Sequence, residues 1–157
     1  MQEIKRIGII GSGNVATNLT VKFKNSGIEV AQVFTRNRKS LNTFITGCQP
    51  SVIADIKLFD SSLDLIIIAT PDDSIEQIAK EILTKIPVVH TSGSVAIANL
   101  KNRSNYGSFY PLQTLTTDHA GKSIPIPILI EASNPTFEAK LIKLAETIST
   151  MVSVHSS

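Results

Sequence analysis

Short apolar runs alternate with segments of helical period from one end of this chain to the other. The runs "IKRIGII", "IEVAQVFTR", "DLIIIAT", "IPVVH" and "YGSFY" read as strands, and strands spaced by helices predict a parallel sheet covered on both faces. A continuous run such as "DLIIIAT" fits a central strand with no solvent-facing side. The expectation is an α/β fold: a doubly wound, mainly parallel sheet with helices on both faces, forming one domain over residues 1–157. With 42% hydrophobic against 18% charged residues, the chain has the apolar content to bury a core.

Periodicity assigns the remaining elements. Val15, Leu19 and Phe23 recur every four residues and predict a helix ending near Gly27. A polar, helix-like segment runs to Gly47, and a short strand follows over 51–54. "PDDSIEQIAKEIL" places Asp73 and Glu76 at capping-box spacing, with Ile75, Ile78, Ala79 and Ile82 on one face. "SVAIANL" predicts a short helix. A loop rich in Thr and Gly, containing His119, leads to "IPIPILIEA", where Pro125 and Pro127 demote the strand's start to an edge or a turn. "NPTFEAKLIKLAETIS" has Asn134 as N-cap, Pro135 at the first helical position, and Phe137, Leu141, Leu144 and Ile148 along one face. "MVSVH" predicts a last strand.

The most informative junction is "IGIIGSGNVATNL", a strand that runs through a glycine turn into a helix. Gly11, Gly13 and Ala16 match the GxGxxG/A pattern of dinucleotide-binding, Rossmann-type turns. Gly11 permits the tight turn, Gly13 lets a pyrophosphate approach the backbone, and Ala16 lets the helix lie close on the strand. The candidate cradle is therefore Gly11, Ser12, Gly13, Asn14, Val15 and Ala16, with the helix start offering N–H groups and a favourable dipole to phosphates. A purely structural glycine turn is the other reading of the same residues.

The end of the second strand discriminates among cofactors. Sites for NAD, FAD or S-adenosylmethionine usually place an acidic residue there for the ribose hydroxyls. This chain has Thr35, Arg36, Asn37 and Arg38, while Glu29 lies at the wrong end of the strand. A guanidinium facing a 2′-phosphate gains about 4 kcal/mol per charge pair at 4 Å and an effective dielectric near 20, before desolvation and screening. NADP(H) is the expected cofactor, and an S-adenosylmethionine methyltransferase is disfavoured. A solvated loop is the alternative for Arg36 and Arg38.

Ligands in such sheets lie beyond the carboxyl ends of the strands. Ala69, Thr70, Pro71 and Asp72 are therefore expected to border the cofactor, and His90, Thr91, Ser92 and Ser94 to lie near its nicotinamide end. Asp72 reads equally as a helix-capping carboxylate. His90 has a pKa range suited to acid or base chemistry, yet a lone histidine ending a buried strand also fits a hydrogen-bonded core residue. His119 and His155 stand alone in a loop and near the terminus.

Other function classes are disfavoured. The formal net charge is only +2, from 15 basic and 13 acidic residues with no basic block, so nucleic acid is not an expected partner. Cys48 is the single cysteine, which excludes an internal disulfide and a cysteine-cluster metal site and fits a reducing compartment. The N-terminus enters a strand without an apolar signal core, and the longest clean apolar run is too short for a bilayer. A cytoplasmic protein without a membrane partner is expected. "HTSGS" is not the GxSxG of a nucleophile elbow, and no ligand spacing suggests a metal.

The ordered blocks "GSGNVATNL", "DLIIIATPDDSI", "VVHTSGSV" and "FYPLQTL" resemble a family of predicted NADP-dependent oxidoreductases with a C-terminal DUF2520 domain. That family is related to the pyrroline-5-carboxylate reductase and coenzyme F420-dependent NADP oxidoreductase type. The resemblance covers essentially the whole chain. It implies an N-terminal cofactor domain, represented here, followed by a helical domain, absent here, that builds a homodimer and closes the substrate pocket; a fragment is the expectation, and a second subunit covering the site is the other reading. It also implies that "HTSGSV" and "FYPLQTL" line the cleft, so Tyr110 joins His90 as a candidate catalytic residue and Ser92, Gly93, Ser94 and Gln113 become candidate substrate-side residues. The expected function is hydride transfer to or from a small carbonyl or imine substrate. A non-catalytic dinucleotide-binding or sensing module is the alternative.

Overall fold

A computed structural model of the chain describes residues 3–83, 85–113, 115 and 126–155. Most of the expected Thr- and Gly-rich loop, with His119 and Pro125, lies outside the described residues. Eight strands are described: β1 (Arg6–Ile10), β2 (Glu29–Phe34), β3 (Ser51–Val52), β4 (Leu65–Ile68), β5 (Val88–His90), β6 (Tyr106–Pro111), β7 (Ile128–Ala132) and β8 (Val152–Val154). They form one sheet in the order β3-β2-β1-β4-β5-β6-β7-β8. The first six follow the 3-2-1-4-5-6 order of a doubly wound sheet, which reverses direction between β1 and β4. All neighbours are parallel except β6 and β7, where Tyr110 stands opposite Leu129 and Ser108 opposite Glu131.

Strand β4 explains why the sheet needs two covers. Its four side chains are fully buried, with Leu65 and Ile67 entering one apolar cluster and Ile66 and Ile68 the other. Helices α1 (Asn14–Asn25) and α4 (Pro135–Glu146) cover the first side through Leu19, Phe23, Phe137, Leu141 and Leu144. Helix α3 (Ile75–Glu81) covers the second through Ile75, Ile78 and Ala79. Each fully buried aliphatic side chain contributes about 1.5–3 kcal/mol, so β4 anchors both halves of the core. No helix among the described residues is long and apolar enough to cross a membrane.

Local signals hold at the last helix. Asn134 caps α4 by accepting the Phe137 N–H at 2.9 Å, and Pro135 opens it. Strand β7 begins at Ile128, directly after Pro127, and lies between β6 and β8 rather than at the edge. The polar segment before Gly47 is a 3-10 turn at Arg38–Ser40 followed by the short helix α2 (Thr43–Gly47). "SVAIANL" supplies only a 3-10 turn at Ile97–Leu100.

The capping box expected at Asp73 and Glu76 does not form. A 3-10 turn at Asp72–Ser74 precedes α3, and no side chain caps that helix. The Ser74 hydroxyl bonds instead to Thr70 Oγ1 at 2.8 Å and to the Pro71 carbonyl at 2.7 Å, winding the chain tightly after the proline. Asp72 is likewise no helix cap, because its carboxylate accepts a hydrogen bond from another loop.

Candidate functional site

A cleft of about 770 Å³ opens where the carboxyl ends of β1, β2 and β4 meet the end of β6. Its floor is the glycine turn. Gly11 has φ +123°, a conformation that favours glycine, and its N–H donates to the Phe34 carbonyl at 2.8 Å. A Cβ here would lie 2.3 Å from the Ala69 carbonyl oxygen, so the turn seats β1 against β4 only without a side chain.

Gly13 is different. It is the N-cap of α1, no side chain caps that helix, and a Cβ on it would meet nothing within 4 Å. Ser12, Gly13, Asn14 and Val15 all line the cleft, and the first turn of the helix carries no acidic residue. An open, uncapped helix start facing a cleft suits a phosphate. Ala16 is fully buried beneath the turn and does not line the cleft. The polar residues that follow, Thr17, Asn18 and Thr20, are buried and donate to the carbonyls four residues back at 2.7–2.8 Å, so α1 packs closely without stranding those donors.

The wall beyond β2 combines hydroxyls with one cation. Ser12 Oγ lies 3.1 Å from Thr35 Oγ1 and also bonds to Ser40 Oγ. Arg36 lines the cleft, and its guanidinium pairs at 3.3 Å with Glu81 of α3. Arg38 is exposed in the 3-10 turn and is not among the lining residues.

Opposite stand Ala69, Thr70, Pro71 and Asp72, all lining the cleft. Ser94 Oγ donates to Asp72 Oδ2 at 2.7 Å, and this bond together with one from Ser92 holds the Asp72 carboxyl below the usual carboxylate range.

The serine loop is braced from within. The Ser92 N–H donates to His90 Nδ1 at 3.1 Å, and Ser92 Oγ in turn accepts the N–H groups of Ser94 and Val95, each at 3.1 Å. With Nδ1 accepting, the proton of the neutral ring sits on Nε2. His90 is fully buried and does not line the cleft. Burial pushes its imidazole below the usual value, against the opposing pull of the Val95 backbone and of the Asp72 and Glu131 carboxylates. His90 thus lies behind the serine loop, outside the lining of the cleft.

Tyr110 and Gln113 line the cleft, whereas Ser92, Gly93 and Ser94 line a neighbouring cavity of about 330 Å³ that shares Tyr110 with it. The Tyr110 ring lies so close to Gly93 that a Cβ there would fall 2.5 Å from a ring carbon. Thr91 also reaches the cleft. Sequence reasoning missed Ser40, Ser74 and Ile78 as lining residues. Ile78 carries the apolar period of a core position, and nothing in that period marks the part of its surface left open to the cleft.

A doubly wound sheet, a glycine turn at its switch point and an uncapped helix start above it define a dinucleotide-binding domain of oxidoreductase type. The chain belongs to the family described as NADP oxidoreductase, coenzyme F420-dependent, whose model matches residues 6–93. Similar solved structures include a candidate NADP oxidoreductase from Bacteroides fragilis, 27% identical, with TM-score 0.88 over 97% of this chain and 61% of that one. A pyrroline-5-carboxylate reductase from Coxiella burnetii is 19% identical, with TM-score 0.78 over 99% of this chain and 60% of that one. Prephenate dehydrogenase from A. aeolicus, solved with hydroxyphenyl propionate and NAD+, is 17% identical, with TM-score 0.74 over 99% and 61% of the two chains. The last two likenesses show the fold alone. This chain spans about three-fifths of the length of each of these proteins. No curated protein sequence matches it.

Proposed function

We propose that this chain is the NADP(H)-binding domain of an oxidoreductase of the DUF2520 type, acting on a small carbonyl or imine substrate. The observation that carries the proposal is the uncapped start of α1 at Gly13, open toward a cleft in which Arg36 is the one cation among the described lining residues. Ser12 to Val15 would hold the pyrophosphate through backbone N–H groups and the helix dipole, with Gly11 making the turn and Ala16 the close packing beneath it. Ser12, Thr35 and Ser40 supply hydroxyls beside it, suited to a ribose. Arg36 would take the 2′-phosphate, with Arg38 contributing only charge at the rim.

The nicotinamide, when bound, supplies the hydride chemistry. The chain's own residues orient it and shape the space beside it: Ala69, Thr70, Pro71 and Asp72 form one border, and Tyr110 with Gln113 the other. Tyr110, which touches both cavities, is the better placed of the two catalytic candidates to give or take a proton. His90 acts behind the serine loop as a positioning residue. A helical domain and a second subunit would complete the substrate side, since hydride transfer needs water excluded from the reacting face.

Titration with NADPH and NADH tests the cofactor assignment. NADPH should bind more tightly, and Arg36→Ala should remove most of the difference, about ten- to a hundredfold for a charge-assisted contact. Equal affinities in the parent protein would overturn it.

A further inference from the structure

We infer that Glu81 sets how strongly this site discriminates in favour of a 2′-phosphate, by acting as a resident counter-ion for Arg36; this rests on the cofactor reading above. Among the described residues that line the cleft, only Arg36 and Asp72 are charged. The guanidinium of Arg36 is already engaged, 3.3 Å from the Glu81 carboxylate. A 2′-phosphate arriving at the end of β2 must therefore share Arg36 with a carboxylate or displace it. In both cases Glu81 opposes the phosphate by competing for the N–H donors of Arg36.

The placement of Glu81 is held by the fold. It is the last residue of α3, and the guanidinium of Arg103 pins that end of the helix by donating to the carbonyls of Ala79 at 3.1 Å, Ile82 at 3.4 Å and Ile86 at 3.1 Å. A carboxylate at a helix C-terminus gains nothing from the helix dipole, so Arg36 is its favourable partner. The side chains of Arg36 and Glu81 are 61% and 36% exposed, which makes the pair weak and exchangeable. The pair thus lowers phosphate affinity modestly without blocking the site, leaving the preference for a phosphorylated ribose adjustable at one position.

The test uses two adenine nucleotides that differ only in the 2′-phosphate, 2′,5′-ADP and 5′-AMP, titrated calorimetrically into the parent, Glu81→Gln, Arg36→Gln and the double variant. Glu81→Gln should tighten 2′,5′-ADP about two- to fivefold, the range an exposed ion pair is worth, and leave 5′-AMP unchanged. On the Arg36→Gln background it should change neither. Unchanged or weaker 2′,5′-ADP binding in Glu81→Gln, or an equal gain for 5′-AMP, would overturn the counter-ion role. If the parent itself fails to discriminate between the two nucleotides, the NADP(H) assignment falls first and the role of Glu81 with it; if the parent discriminates and Glu81→Gln does not shift it, the counter-ion role alone fails.

Discussion

The loops after β1 and β5 both turn the chain at the carboxyl edge of the sheet, and they solve the same problem in opposite ways. The serine loop satisfies its own backbone: His90 accepts from Ser92, and Ser92 Oγ accepts from Ser94 and Val95. The glycine turn leaves the start of α1 with no side-chain cap and with open space at Gly13. A loop whose donors are used internally can serve as a wall. A loop whose donors are left exposed can serve as a seat. The contrast teaches that a phosphate cradle is recognised as much by the cap it lacks as by the glycines it contains.

Breaking the glycine turn should have the largest effect. Gly11→Ala adds a Cβ at φ +123° against a backbone oxygen, and left-handed strain plus overpacking should cost about 3 kcal/mol of stability, read by urea unfolding. A loss within experimental error would show that β1 and β4 can separate at no cost.

Converting the seat into a wall should separate binding from folding. Gly13→Asp has extended backbone angles suited to an N-cap, so its carboxylate can bond to the first-turn N–H groups and fill the cradle as Ser92 fills its own loop. Stability should hold or rise by a few tenths of a kcal/mol, while NADPH affinity falls by about a hundredfold or more. Retained affinity would place the phosphates elsewhere.

The wall should respond to pH. The folded pKa of His90 is depressed below its ordinary value of 6.5, so its contribution to stability is full above that pH and is lost as pH falls through the range below it. Between pH 7.5 and 5.5 the parent should lose stability with a slope of up to about 1.4 kcal/mol per pH unit from this group. His90→Gln, which keeps an acceptor but cannot titrate, should flatten that slope in urea titrations. Equal slopes in both proteins would remove His90 from the balance.

Much of this architecture was legible locally. The run at Leu65–Ile68 announced a strand buried on both faces, and Asn134 with Pro135 announced the start of α4, because strand burial and helix capping depend on neighbours within a few residues. The Asp73 and Glu76 spacing misled for the same reason. Four residues can match a capping box while Pro71 and Ser74 close a tighter turn, and the adjacent Asp72 is drawn 22 positions along the chain to Ser94. His90 was readable both as a candidate acid or base and as a hydrogen-bonded core residue, and its burial and its bond to Ser92 appear only once the strand and loop are packed.

The sequence by itself determined the alternation that makes a doubly wound sheet and the glycine that its tightest turn requires, since both follow from backbone period and φ, which are properties of short segments. Only the tertiary structure decided which hydrogen-bonding groups are used up and which remain for a ligand. Ser12 meets Ser40, and Arg36 meets Glu81 45 positions away, because the crossovers return those segments to one edge of the sheet. A charge or a hydroxyl has no fixed partner until the packed core sets the distance.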